Sequence, residues 1–350
     1  MRKMNRRHFI TSASLATCMP MLSCIPVKQK DTGCYIKPII GSWFEFEHHN
    51  QAGAKYWNPA LPKFTTEQWK TLVFDMHEIG LEYLALLSVA YEGKTYYPSA
   101  LQPRHNFACE DPLEAVLSAA DECGIKFFVS NDYWSDWTQV EKAMKDEAVW
   151  RIREKGMEEI AGKYAHHQSF YGWYYPNESE LRPVFDDFAV EYINRCSQIA
   201  HSLTPAALTL VSPYGTQYVK MNDQYIKQLE QLDVNIIAYQ DEVGVKKIKP
   251  GEAGKHFEDL YKMHAKAGRA RLWADIELFD FEAEIYTSPG VPAPFERVLK
   301  QLADVSPYVE HIMAYQYQGM MNKPGTSAYA GHKNSEKLYR DYVHWLNSRQ

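Results

Sequence analysis

From Pro38 onwards, apolar runs of seven to nine residues alternate with longer stretches in which apolar residues recur every three or four positions. The alternation repeats at roughly forty residues, a period worth testing before any other feature. Eight runs read as strands: residues 38–46, 82–90, 125–133, 169–176, 207–213, 234–241, 271–278 and 310–317. The stretches between them, such as residues 66–80, 111–124, 188–203 and 335–348, have the spacing of amphipathic helices, several ending at glycine. The unit is a strand followed by a helix, repeated eight times. Because the strand runs are nearly continuous in apolar residues, both faces of each strand are expected to be buried, as in a parallel sheet covered by helices. A single (β/α)8 TIM barrel fits this pattern. The competing doubly wound sheet calls for a glycine-rich turn after its first strand, and Phe44-Glu45-Phe46-Glu47-His48-His49 has none.

Size agrees with one such barrel: 350 residues, 45% apolar and 14% aromatic, hold a barrel over residues 36–350, a linker over 25–35 and a leader over 1–24. In the leader, Arg6-Arg7-His8-Phe9-Ile10 resembles a twin-arginine export signal, and Leu22-Ser23-Cys24 resembles a bacterial lipoprotein cleavage box, so lipid on Cys24 is expected. The apolar part is too short and too polar to span a bilayer. The expectation is an exported protein, periplasmic or held at the cell envelope, touching membrane only through that lipid. Removal of the leader takes away Arg2, Lys3, Arg6 and Arg7 and no acid, moving the formal charge from −6 to −10. An acidic body without a basic run argues against nucleic acid as a partner.

Six cysteines form no ligand pattern: Cys18 and Cys24 belong to the leader, and Cys123 and Cys196 sit on apolar helical faces as small core residues. Cys34 and Cys109 could pair only if the fold brings them together. No cofactor or metal motif is present. His48-His49 with nearby acids raises a metal-dependent hydrolase as an alternative, but neighbours on a strand are expected to face opposite ways.

In a TIM barrel the chemistry sits at the C-terminal ends of the strands. Glu178 follows the fourth run and Glu277 ends the seventh, on opposite sides of an eight-stranded barrel. Paired carboxyls facing each other across a cleft are what glycosidic cleavage needs, one to protonate the leaving oxygen and one to attack the anomeric carbon or activate water. A retaining enzyme holds them roughly 5–5.5 Å apart. Burial beside Trp173, Tyr174 or Tyr175 would keep the acid protonated. Other strand-end residues, Asn177, Trp43, Glu45, Asp132, Trp134, Tyr174, Tyr214, Gln240, Asp241, Tyr315 and Gln316, are candidate sugar contacts, the aromatics by packing on apolar sugar faces. Structural roles stay open for three of these acids. Glu178-Ser179 could open the next helix, Glu277 could be an ion-pair partner, and Asp241 could cap a helix.

The segments Gly172-Trp173-Tyr174-Tyr175-Pro176-Asn177-Glu178, residues 235–244 and Leu272-Trp273-Ala274-Asp275-Ile276-Glu277-Leu278-Phe279 resemble a bacterial family of exported TIM barrels of unassigned function, grouped with glycoside-hydrolase-like barrels. Asn177-Glu178 and Glu277 are also similar to the strand-four and strand-seven positions of clan A glycoside hydrolases. That likeness implies Glu178 as acid/base, Glu277 as nucleophile and Asn177 as partner of the sugar 2-hydroxyl. The expected substrate is an oligo- or polysaccharide; a lipid-anchored barrel that binds glycans without cleaving them is the alternative.

Overall fold

The computed structural model describes residues 35–349, so the expected leader, Cys34 and the expected lipid site Cys24 lie outside the described residues. Eight parallel strands close into a barrel: β1 (Gly41–Phe44), β2 (Tyr83–Leu86), β3 (Lys126–Ser130), β4 (Phe170–Tyr174), β5 (Leu208–Val211), β6 (Ile236–Gln240), β7 (Arg271–Glu277) and β8 (Ile312–Tyr315). The ring shuts where β1 pairs with β8, Gly41 opposite Met313. Each strand falls inside its predicted run. The runs overshoot because residues just past the ladder, such as Leu87 and Val89, are still buried under the loops.

Helices follow every strand: Thr66–Glu78, Pro112–Cys123, Val140–Lys145 with Glu147–Tyr164, Asp187–Leu203, Asp223–Gln231, Ala253–Ala267, Phe295–Val305 and Ser335–Asn347. Local sequence sets their ends. Thr65 and Gln68 form a reciprocal capping box at the first helix, and Gly124 stops the second at a φ of 78°, a conformation that glycine adopts without strain. A hairpin of Phe279–Phe281 with Gly290–Pro292 rises after β7.

Two apolar layers result. Trp43, Tyr83, Phe128, Tyr174, Trp273 and Met313 fill the inside of the barrel, and a larger layer joins strands to helices. Along β4 the alternation is plain. Tyr174 points inward, whereas Trp173 donates to Oγ1 of Thr204, which caps the helix 187–203, at 2.8 Å, and Tyr175 meets Oγ of Ser197 on that helix at 3.1 Å. Trp173 and Tyr175 therefore do not bury Glu178 as the sequence suggested; Tyr174 alone of the three reaches it. Cys109, Cys123 and Cys196 are free thiols; Cys196 is fully buried and Cys109 lies 3.3 Å from the Thr66 hydroxyl.

Candidate active site

A cavity of about 610 Å³ opens where the strands end, and all eight strands or the loops that follow them contribute to its wall. Eight of the predicted residues line it: Trp43, Tyr174, Asn177, Glu178, Tyr214, Gln240, Glu277 and Tyr315. Glu178 stands four positions beyond the end of β4 and eight before the nearest helix cap, Asp186, so it does not open that helix. Its Oε1 accepts the Tyr174 hydroxyl at 3.3 Å. Burial pushes the Glu178 carboxyl up to about 7, against the opposing effect of Gln240 and Tyr174.

Glu277 is the last residue of β7, opposite Tyr315 in the ladder to β8. Only 4% exposed, it makes no salt bridge among the described residues; its Oε2 accepts the Val245 N–H at 2.9 Å. Gly244 lets that loop approach, since a Cβ there would stand 2.9 Å from the same oxygen. Burial and the neighbouring Asp241 carboxylate raise the Glu277 pKa well above the usual range.

Asp241, a predicted sugar contact, does not line the cavity. It is fully buried behind β7, where it accepts the Glu277 N–H at 3.2 Å and Gln301 Nε2 at 2.7 Å. It neither caps a helix nor touches the cavity. Its carboxylate instead fixes the backbone of Glu277, which Gln301 and Arg297 also hold through the Glu277 carbonyl at 3.0 and 2.9 Å.

Four further predicted contacts are also turned away. Glu45 is fully buried, accepting from Trp57 Nε1 at 2.6 Å and Gln316 Nε2 at 2.7 Å and facing His48 Nδ1 at 2.8 Å. Burial would raise its pKa, but His48 and these hydrogen bonds outweigh that and hold it below the usual range. Gln316 is thereby spent on Glu45. Asp132 meets Arg153 Nε and Asn177 Nδ2, each at 2.5 Å, a buried charge pair whose geometry leaves nothing for a ligand. Trp134 lies on Gly156 of the helix 147–164, so close that a Cβ on that glycine would fall 2.2 Å from the indole. Strand-end polar residues can turn into the cavity or sideways into the loops, and these five turn sideways.

Several lining residues were not predicted as contacts. His48 and His49 lie past the end of β1, not on it, with ring centroids 4.5 Å apart, so the expectation of opposite faces fails. His48 Nδ1 serves Glu45 and the Tyr315 hydroxyl, and the His49 ring packs on Trp137 at 4.1 Å. Among the described residues, the His and carboxylate group close enough to share an ion is Glu114, His166 and His167, whose side chains are absent from the cavity wall. Glu242 also lines the wall, tied to Lys247 Nζ at 2.9 Å and to the Gly215 N–H at 2.7 Å. Asp275 is the deepest of the acids. Its signal was in the sequence: in Trp273-Ala274-Asp275-Ile276-Glu277 the odd positions share one face, the one that Trp273 turns inward. Burial holds the Asp275 pKa far up, partly offset by Trp43 and reinforced by Glu277.

The family described as a domain of unknown function, DUF4434, matches residues 39–328, which is most of the chain. This protein belongs to that family. Its barrel is similar to that of a Bacteroides thetaiotaomicron protein provisionally designated an α-L-fucosidase, with a TM-score of 0.68 at 17% identity over 94% of this chain and 99% of the other. An endo-β-1,4-mannanase from Thermotoga petrophila aligns at a TM-score of 0.56 and 14% identity over 90% of this chain and 78% of its own. A GH10 endoxylanase from a sugarcane soil metagenome aligns at 0.53 and 10% identity, covering 88% and 97%. At such identities the likeness is one of fold. No curated protein matches the sequence.

Proposed function

We propose that this DUF4434 protein hydrolyses glycosidic bonds in an oligo- or polysaccharide, with Glu178 as general acid/base and Glu277 as nucleophile. The observation that carries the reading is that Glu178, in the loop after β4, and Glu277, at the end of β7, line one cavity walled by Trp43, Trp137, Tyr174, Tyr214 and Tyr315. An acid that donates a proton to a leaving oxygen must still hold it near neutral pH, and Glu178, pushed up to about 7, does so. Glu277 acts in its ionised form, although burial and the Asp241 carboxylate push it up to about 8, above Glu178, so the productive arrangement is the minor one. The productive state therefore has Glu277 deprotonated and Glu178 protonated, and Asp241, Gln301 and Arg297 keep the backbone of the nucleophile fixed while that state forms. In the proposed sequence Glu277 attacks the anomeric carbon as Glu178 protonates the departing oxygen, and water then cleaves the glycosyl ester with Glu178 as base, which retains configuration. The aromatic walls offer flat apolar faces to sugar rings. The fold neighbours named as a fucosidase, a mannanase and an endoxylanase support the same class of bond.

On the leader rests a companion proposal, that the protein is exported and held at the cell envelope by lipid on Cys24. Among the described residues no helix is long and apolar enough to cross a membrane.

Release of sugar from a panel of polysaccharides and aryl glycosides tests the function. The wild-type chain should release product from at least one of them and Glu277→Gln from none. Binding without release would instead mark a glycan-binding barrel.

A further inference from the structure

Asp275 takes no part in the two-carboxyl scheme, yet it is placed as a ligand group would be. It lies on the inward face of β7, two residues before Glu277 and so roughly 6.5 Å deeper in the barrel. It lines the cavity, and it is only 3% exposed. One of its oxygens, Oδ1, is buried and makes no hydrogen bond of normal geometry, its side chain facing the Trp43 indole, and the other accepts a single long contact from Ser212 Oγ at 3.4 Å. Beside it the Trp43 and Tyr174 rings stand 4.6 Å apart, both on the cavity wall, and the Trp43 indole N–H, which faces Asp275, is likewise buried without a hydrogen bond of normal geometry. Buried carboxyl oxygens are normally satisfied within the fold, as Asp132 and Asp241 are here. Asp275, held only by the loose contacts of Trp43 and Ser212 at the bottom of an open cavity, keeps the capacity to accept from a hydroxyl that enters.

We propose that Asp275 is a positioning residue that hydrogen-bonds one hydroxyl of the innermost sugar, an uncharged one, and so sets the anomeric carbon between Glu178 and Glu277. The proposal rests on the glycosidase reading. The restriction to a neutral sugar follows from the wall, where Glu178, Glu242, Asp275 and Glu277 face one lysine, Lys247, already bound to Glu242 at 2.9 Å. A uronate in this subsite would add a negative charge where the available cation is committed.

The test is the specificity constant, kcat/KM, for the best neutral aryl glycoside, for its monodeoxy analogues and for its uronic-acid counterpart. In the wild type, removal of one particular hydroxyl should cost roughly 10- to 100-fold, the size expected when a buried charged or acidic group loses its partner. In Asp275→Ala the parent sugar should fall by a similar factor, and that one deoxy analogue should fall no further. Asp275→Asn keeps the shape of the side chain and should shift the ratio at that position alone. The uronate should react at least about tenfold more slowly than the neutral sugar. If neither variant alters the hydroxy-to-deoxy ratio at any position, Asp275 does not read a hydroxyl, although the glycosidase assignment stands. Equal turnover of the uronate overturns the neutral-sugar restriction. A wild-type chain that cleaves none of the parent glycosides removes the underlying assignment, and this proposal with it.

Discussion

Glu178 and Glu277 differ in how the fold treats them, and that difference sets what their replacement should do. Glu178 is partly exposed to the cavity and touches Tyr174, whereas Glu277 is buried and its backbone is held on three sides. Replacing either by Gln keeps the volume but removes the proton donor or the nucleophile. Hydrolysis should fall by roughly 10²- to 10⁴-fold for Glu178→Gln, most steeply for substrates with poor leaving groups, and below detection for Glu277→Gln. Initial rates on aryl glycosides graded by leaving-group pKa check both. The pH dependence follows from the same pair. Activity needs Glu178 protonated and Glu277 ionised, so with Glu178 at about 7 and Glu277 at about 8 kcat should be greatest between those values and decline as pH falls below about 7 or rises above about 8. Through Glu178, stability falls as pH rises. The folded carboxyl keeps a proton that the unfolded chain, with its ordinary value near 4.5, releases earlier, so Glu178 weakens the fold progressively between those two values. Glu178→Gln should therefore match the wild type at pH 4 and exceed it at pH 8 by on the order of 1–3 kcal/mol, as measured by denaturant unfolding at the two pH values.

At the level of strands and helices, nearly everything was legible, because buried parallel strands and amphipathic helices leave distinct periods in the sequence. What the periods did not give was direction at the strand ends. Glu45, Asp132, Asp241 and Gln316 end their runs as Glu277 does, but they bond sideways to Trp57, Arg153, Gln301 and one another. Nothing in a single run says which neighbour the next loop will bring. Asp275 could have been found by counting alternate positions down from Glu277, but it interrupts the run Leu272 to Ile276 in mid-strand, short of the strand end where barrel chemistry is expected. The sideways residues yield tests of their own. Asp132→Ala leaves Arg153 buried and unpaired and should cost about 3–5 kcal/mol of stability, read from denaturant unfolding. Gly156→Ala should lower stability by roughly 1–3 kcal/mol, although alanine is the better helix former, because its methyl group would enter the Trp134 ring. A Gly156→Ala chain as stable as the parent would show that Trp134 is free to move.

Among the described residues the molecule is a barrel with a walled cavity at the strand ends, and the proposed leader lies outside them. If Cys24 carries lipid, Cys24→Ser should shift the protein from the membrane fraction to the soluble fraction or leave the leader uncleaved; unchanged partitioning would contradict the anchor. For the barrel, the central claim is that Glu178 and Glu277 cleave a glycosidic bond with retention. Its most direct measurement is the turnover of an activated aryl glycoside by Glu178→Ala with and without added azide. The account predicts slow turnover that azide restores, with a glycosyl azide of the same anomeric configuration as the substrate, because azide attacks the ester on Glu277 where water no longer has its base. Parental turnover without azide, or a glycosyl azide of inverted configuration, would contradict it.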